Sequence, residues 1–247
     1  MRRLATLVLL CVIFAPSLAE AQWPPERLKN VKVLPADIPI RSLLDTMRSF
    51  TRALGVRCSY CHVGGETTPF ETLDFSSDSM PAKVKAREML RMLKAINGEY
   101  LTRLVDRREP GISVTCATCH RGIAQPRPLQ QVLIAAYDGG GVDSVEKAYR
   151  ALRQRYFGSA SYDFGEVPLA DVAEAVRTKS GIADAVRIHR FNVTMSPQSG
   201  FALRQTAQAE LSSGDTTAAI ATLQRALSLN ANDSQATAIL NRIRRPP

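Results

Sequence analysis

Two copies of the short motif Cys-x-x-Cys-His constrain this chain more than any other feature of its sequence. They use four of the five cysteines and two of the three histidines: Cys58, Cys61, His62, Cys116, Cys119 and His120. This motif is the attachment signature of c-type haem, in which each sulfur bonds one vinyl group and the histidine binds iron. The sequence therefore predicts two covalently attached haem c groups, with these six residues as haem ligands and the two histidines as iron ligands.

Two other kinds of site use paired cysteines, and the spacing favours neither. A zinc site of two cysteines and two histidines would place its histidines away from its cysteines. A thioredoxin-like dithiol would lie in a strand–helix–strand context, which the sequence does not indicate. Haem attachment is therefore the favoured interpretation of both motifs.

The N-terminal residues 1–21 have the pattern of an export signal. Arg2 and Arg3 precede a short apolar run that contains the fifth cysteine, Cys11, and Ala19 and Ala21 form a small-x-small cleavage site. We expect the protein to be exported to the periplasm and its signal to be cleaved, so that the mature chain begins near residue 22. An uncleaved signal, which would leave the protein membrane-associated, is the alternative.

The charge of the chain indicates the kind of partner it meets. Lysine and arginine number 32 against 23 acidic residues, giving a formal net charge of +9 without a long basic run inside the chain. A diffuse positive charge on an exported protein favours redox donors and acceptors that are acidic or membrane-bound, and disfavours nucleic acid as a partner.

Helical periodicity predicts an all-α fold with the same unit twice. Apolar residues at three- and four-residue spacing precede Gly55 and the first motif, and a second such helix begins at Pro81 and precedes the second motif. The predicted pattern is helix, turn and C-x-x-C-H in each copy. We assign residues 22–128 to a dihaem domain.

The C-terminal part of the chain carries a 34-residue period. Aligning residue 166 with residue 200 pairs Leu169 with Leu203 and Ala173 with Ala207. This is the tetratricopeptide period, in which paired helices stack into a superhelix that binds protein partners. We therefore predict tetratricopeptide-like helical hairpins over residues 143–247, after a linker at residues 129–142 that follows Pro126 and Pro128 and contains Gly139, Gly140 and Gly141.

The sixth ligand of each iron decides the function, because methionine gives an electron carrier whereas an open position allows catalysis. Met47 lies on the apolar face of the first helix and Met92 on that of the second, so both could reach a haem bound downstream. Met89 competes with Met92, and all three could instead be core methionines. The spare histidine, His189, has the spacing of a packed helix residue.

Two segments of the sequence resemble a known family. The run from Met47 through His62, and Met92 to Asn97 followed by Val114 to Gly122, are similar to haem segments of the cytochrome subunit of bacterial photosynthetic reaction centres. The resemblance implies that Met47 pairs with His62 on one iron and Met92 with His120 on the other. That subunit carries four haems, whereas this chain has motifs for two, so the resemblance implies a dihaem carrier module.

The sequence as a whole predicts an exported dihaem cytochrome that carries electrons between redox proteins and is not an enzyme. One alternative is a haem enzyme of the dihaem peroxidase kind, with one open axial position. The other is a haem-bearing scaffold whose main role is protein interaction through the helical repeats.

Overall fold

The computed structural model describes residues 23–25, 27–105 and 111–244. Within these ranges the chain forms α-helices, short 3₁₀-helices and one π-helical turn, with no β-strand beyond a single bridge between Val63 and Asp74. The predicted all-α fold class is confirmed. The predicted export signal at residues 1–21 lies outside the described residues. None of the helices in the described ranges has the length and hydropathy needed to cross a bilayer.

The described residues form two compact units. The first comprises residues 23–52 and 56–115, and the second comprises residues 53–55 and 116–244. Each unit therefore contains one of the two C-x-x-C-H motifs. The division precedes the second motif, whereas the sequence analysis placed the domain boundary after it, at residues 129–142.

The first unit is built on two helices joined by a long polar loop. Helix α1 spans Ile40–Leu54 and α2 spans Pro81–Ala95, continued by a π-helical turn at Ile96–Tyr100 and a 3₁₀ turn at Leu101–Arg103. Two further 3₁₀ turns, Cys58–Tyr60 and Phe70–Thr72, lie in the loop. The predicted end of the first helix and start of the second are confirmed. Helix α1 stops before Gly55, whose φ is +66°, and α2 starts at Pro81.

The second unit begins with a short helix, α3 at Cys116–His120, and a longer one, α4 at Leu129–Tyr156. Five more helices follow: α5 at Glu166–Ser180, α6 at Ile182–Met195, α7 at Gly200–Ser212, α8 at Thr216–Leu229 and α9 at Ser234–Arg244.

Helix α4 occupies the residues that the sequence analysis assigned to a linker. Leu129, Leu133 and Tyr137 recur every four residues and are buried in a core cluster with α5 and α6. The hydroxyl of Tyr137 also donates to Asp184 of α6 at 2.7 Å. The glycines do interrupt the helix, because Gly140 and Gly141 have non-helical angles, but they produce a kink within a packed element. Residues 129–142, which the sequence analysis assigned to a linker, are therefore part of a packed helix.

The 34-residue period is present in the helix boundaries themselves. Helices α5, α7 and α9 begin at residues 166, 200 and 234, and α6 and α8 begin at residues 182 and 216. Consecutive helices pack as hairpins, and alanines at equivalent positions, Ala173 with Ala207 and Ala185 with Ala219, are fully buried where the helices approach. Helices α5 to α9 of the second unit form tetratricopeptide-like hairpins, as predicted.

Equivalent side chains also start equivalent helices. The Ser199 hydroxyl accepts the Ala202 amide at 3.0 Å at the start of α7, and 34 residues later a carboxylate oxygen of Asp233 accepts the Ala236 amide at 3.0 Å. Asp233 is buried and also pairs with Arg204 of α7. This ion pair connects α9 to the preceding hairpin.

Replacing Leu133 tests whether residues 129–142 are packed. Leu133 is 0% exposed, so Leu133→Ala should lower the free energy of unfolding by about 2–5 kcal/mol through lost burial and the cavity left behind. Thermal and denaturant unfolding of the full chain, followed by circular dichroism, measures this loss. Leu229→Ala is the matched control, because Leu229 is 41% exposed. Equal, small losses for both variants would show that residues 129–142 behave as a linker.

Candidate functional site

The first C-x-x-C-H motif forms a single helical turn. The amide of Cys61 donates to the carbonyl of Cys58 at 3.1 Å, and the amide of His62 donates to the same carbonyl at 3.0 Å. Residues at i, i+3 and i+4 of a helical turn lie on one face. Both sulfurs and the imidazole of this motif therefore project to the same side of the backbone, as bonding to one porphyrin requires.

The second motif has the same arrangement in helix α3. One further helical hydrogen bond, from the Arg121 amide to the Ala117 carbonyl at 3.2 Å, follows the motif. Nδ1 of His120 lies 2.9 Å from the carbonyl oxygen of Ile123. A carbonyl only accepts hydrogen bonds, so Nδ1 carries the hydrogen and Nε2 keeps its lone pair. This tautomer is the one that binds iron through Nε2.

His62 lies in a different environment. It is half-buried, its Nδ1 atom is buried without a hydrogen-bond partner among the described residues, and the ring of Phe75 packs against it at 4.9 Å. Burial lowers the pKa of His62 to about 4, and the positive charge of Lys83 acts in the same direction. The imidazole is therefore neutral at physiological pH, as an iron ligand must be.

Three aromatic rings cluster on one side of the first motif. Phe75 contacts Phe70 at 5.1 Å, and Trp23 contacts Phe70 at 4.9 Å and Phe75 at 5.3 Å. Paired backbone bonds between Val63 and Asp74, at 3.3 and 2.9 Å, hold the loop that carries Phe75 beside the residue that follows His62. The cluster shields one side of His62 from water.

A largely buried lysine on α2 holds the same loop in place. The Lys83 ammonium donates to the carbonyls of Phe75, Ser76 and Ser77 at 2.9, 3.1 and 2.7 Å, and lies 3.5 Å from the carboxylate of Asp78. A neutral amine has only two N–H bonds, so three carbonyl acceptors require the charged form. The loop next to His62 therefore encloses a positive charge.

Asp78 gathers several cations around its carboxylate. Arg87 lies 2.8 Å from it, Lys32 lies 2.7 Å from it, and the Asn30 amide donates to it at 2.7 Å. The hydrogen bonds from Arg87 and Lys32 hold the pKa of Asp78 well below its usual range, against a smaller opposing effect of desolvation. Asp78 is therefore ionised throughout the physiological pH range.

All four motif cysteines are free thiols in the structure. Burial raises the pKa of Cys61, with the neighbouring Cys58 adding to the effect, and burial also raises the pKa of Cys116. Both pairs are thus available for thioether bonds. In the described ranges no three histidine, cysteine, aspartate or glutamate side chains group as a metal-ion site.

Asn97 holds the segment that leads into the second motif. Its side-chain oxygen accepts the Val114 amide at 2.8 Å, and its side-chain nitrogen donates to the carbonyls of Val114 and Leu93 at 2.8 and 3.0 Å. Asn97 lies in the π-helical turn after α2, an irregularity common at functional sites. A single side chain therefore ties the backbone two residues before Cys116 to the end of α2.

Close backbone contact joins the turns that flank the motifs. The Gly122 amide donates to the Ala53 carbonyl at 2.8 Å, and a Cβ on Gly55 would lie only 2.1 Å from the Gly122 carbonyl oxygen. Gly55 also has a left-handed φ of +66°. Only glycine fits at residue 55, three residues before Cys58, because any side chain there would collide with the turn after His120.

The candidate axial methionines are accessible. Met47 on α1 is half-buried, whereas Met89 and Met92 on α2 are 43% and 47% exposed. Their exposure does not favour Met92 over Met89. Among the described residues of the first unit, Leu73 is the one large apolar residue that is buried, at 8% exposed. An apolar porphyrin packed on these helices therefore fits a unit that has little core of its own.

His189 is buried in α6, as expected of a packed helix histidine.

Several residues that contact the motifs could not be identified from the sequence. The contributions of Lys83, Phe75 and Ile123 were missed, because two depend on contacts across a loop and the third is a backbone carbonyl. Asn97 stood in the segment that carried the family resemblance, but its role becomes visible only with its hydrogen bonds.

Comparison with known proteins supports a haem-binding interpretation. A family model described as "Photosynthetic reaction centre cytochrome C subunit" matches residues 15–149, more than half of the chain. Cytochrome c-554 of Chloroflexus aurantiacus is 41% identical over 68 residues, covering 28% of this chain and 14% of that protein. The photosynthetic reaction center cytochrome c subunit of Thermochromatium tepidum is 31% identical over 104 residues, covering 41% of this chain and 22% of that protein. The chain spans less than a quarter of either relative.

Solved structures match this chain only weakly. The first TPR of Spaghetti (RPAP3), bound to an HSP90 peptide, has a TM-score of 0.32 at 18% identity, covering 47% of this chain and 87% of that one. PcrH from Pseudomonas aeruginosa has a TM-score of 0.32 at 18% identity, covering 47% and 89%. The description of the second unit as repeats therefore rests on its own helix spacing.

Removing the Asn97 side chain should free the segment before the second motif. Asn97→Ala eliminates both hydrogen bonds to Val114, and we expect amide hydrogen exchange at Val114 to accelerate roughly tenfold. Exchange measured by NMR or mass spectrometry tests this. Asn30→Ala is the control, because Asn30 bridges Ser76 and Asp78 instead. Unchanged exchange at Val114 in Asn97→Ala would contradict the assigned role.

Proposed function

Because this chain belongs to the family of photosynthetic reaction centre cytochrome c subunits, we propose that it is an exported dihaem c-type cytochrome that transfers electrons between redox proteins. The observation that carries the proposal is the pair of one-turn C-x-x-C-H motifs, each presenting two free thiols and an imidazole on one face. The tautomer of His120 and the neutral state of His62 both suit iron binding.

The residues divide the work of holding haem. Cys58 and Cys61 would bond the first porphyrin and Cys116 and Cys119 the second, so neither haem depends on pocket affinity for its retention. When bound, the haem iron supplies one-electron oxidation and reduction. The protein orients the imidazoles, and the ring cluster of Trp23, Phe70 and Phe75 excludes water from one side of the first site.

Methionine ligands complete the proposed coordination. We assign Met47 to the iron of His62 and Met92 to the iron of His120, following the pairing that the family resemblance implies. The accessibility of the Met92 thioether and the Asn97 bonds at the end of its helix are compatible with this role. A thioether ligand favours ferrous iron, which raises the reduction potential and suits an electron carrier.

The partners are proposed to be a redox donor and a redox acceptor in the periplasm, acidic or membrane-bound. The net charge of +9 supports such partners. A further protein would bind through the tetratricopeptide-like hairpins of the second unit, since such repeats present an extended concave surface. Both relatives are named as cytochromes, which favours an electron carrier over the haem-enzyme alternative.

Haem content tests the proposal directly. Produced in a host that matures c-type cytochromes, the full chain should gain the mass of two haems and stay red after denaturation, because the bonds are covalent. The double variant Cys116→Ser/Cys119→Ser should keep one haem. Ala117→Ser, at a variable position of the same motif, should keep both. A colourless chain at its unmodified mass would refute the proposed function.

Histidine replacements test the axial assignment. Met47→His and Met92→His should each abolish the thioether–iron charge-transfer band of one haem and lower its midpoint potential, because imidazole stabilises ferric iron better than thioether. Near-infrared magnetic circular dichroism identifies the ligand pairs. Met89→His, one helical turn from Met92, should leave both bands in place. A lost band in Met89→His, with Met92→His unaffected, would assign the ligand to Met89.

A further inference from the structure

The two haem sites differ in the charges and hydrogen bonds that surround their histidines. We propose that the haem attached at Cys58 and Cys61, the first site, has a higher reduction potential than the haem attached at Cys116 and Cys119, the second site. The inference rests on the proposed function and adds an order to it: an electron is more stable at the first site than at the second.

The hydrogen bond of the proximal histidine is the first difference. Nδ1 of His120 donates to the Ile123 carbonyl at 2.9 Å, whereas Nδ1 of His62 has no partner among the described residues. A hydrogen bond from the far nitrogen makes an imidazole a more basic ligand. A more basic ligand stabilises ferric iron, so this bond lowers the potential of the second site, and His62 gives the first site no such stabilisation.

A buried cation is the second difference. The Lys83 side chain is 12% exposed, and its ammonium is held by three carbonyls of the loop that packs on His62. The Phe75 carbonyl binds Lys83 while the Phe75 ring contacts His62 at 4.9 Å, so one residue connects the cation to the ligand. Oxidation adds a positive charge at the iron, and a nearby cation opposes it.

The neighbouring charges do not cancel this cation. Asp78 is the carboxylate that pairs with Lys83, but it is also paired with Arg87, whose side chain is as buried as that of Lys83, at 11% against 12% exposed. Two largely buried cations therefore share one carboxylate. Lys32, the third cation on Asp78, is half-exposed and is more strongly screened by solvent. Asp74 accepts hydrogen bonds from the amides of Ser76 and Ser77, and its charge offsets part of the field.

The surroundings of the first site strengthen the effect of these charges. The rings of Trp23, Phe70 and Phe75 pack together beside His62. Excluding water lowers the local dielectric constant, and charge interactions grow as that constant falls. The cation and the shielded histidine thus favour ferrous iron at the first site.

Spectroelectrochemical titration of the full-length dihaem protein tests the inference, with Lys83→Met as the main variant. We expect two resolved midpoints in the unmodified protein. Lys83→Met should lower the higher midpoint and leave the lower one in place. Lys85→Met is the matched control, because Lys85 is an exposed lysine on the same helix, and it should move neither midpoint.

Asp78→Asn separates charge from structure. Removing its negative charge should raise the higher midpoint, opposite to the effect of Lys83→Met, because both buried cations then act uncompensated. A loosened loop would instead admit water in both variants and lower the midpoint in both. Opposite shifts support the inference, whereas shifts in the same direction overturn it.

The remaining outcomes are also decisive. If Lys83→Met moves the lower of the two midpoints, or neither, the proposed order of the sites is wrong while the protein remains a dihaem cytochrome. If the chain takes up no haem, its colour and mass reveal this before any titration. That result refutes the proposed function and the inference with it.

Discussion

The helical turn of each C-x-x-C-H motif is the constraint on which the rest of the site depends. In the first motif the carbonyl of Cys58 accepts hydrogen bonds from both the Cys61 and the His62 amides. In the second motif the short helix α3 forms the equivalent turn. This geometry places two sulfurs and an imidazole on one face within a single turn. Loops and helices elsewhere in the described structure orient these turns but do not supply their chemistry.

The two C-x-x-C-H motifs are held in place by different contacts. The second motif depends on the backbone, through the Ile123 carbonyl that accepts from His120 and through the Asn97 side chain that holds Val114. The first depends on packed rings and on a charge, with Phe75 against its histidine and Lys83 inside the adjoining loop. Two copies of one motif pattern thus lie in different electrostatic environments, and such environments are among the features that tune the potential of a haem.

In the second unit, glycine and proline content was a poor guide to secondary structure, whereas the spacing of apolar residues was a good one. Glycines 139–141 and the preceding prolines suggested a linker, yet Leu129, Leu133 and Tyr137 recur at helical spacing and are buried. The glycines interrupt α4 only locally, because the residues on both sides pack into one core cluster. Farther along the chain, the 34-residue period located the hairpins correctly. Residues at equivalent positions must be small wherever equivalent helices touch, so alanine recurs there.

By itself the sequence determined what depends on short spacing: the C-x-x-C-H motifs, the helix that ends before Gly55, the helix that starts at Pro81, and the repeat period. Each of these features depends on neighbours within a few residues or on a repeated spacing, so each can be recognised from the sequence. Only the tertiary structure decided that Lys83 lies beside the loop of His62, that the Ile123 carbonyl selects the tautomer of His120, and that residue 55 must be glycine to approach Gly122. Those outcomes depend on backbone atoms, or on residues brought together by folding, and neither leaves a local pattern in the sequence.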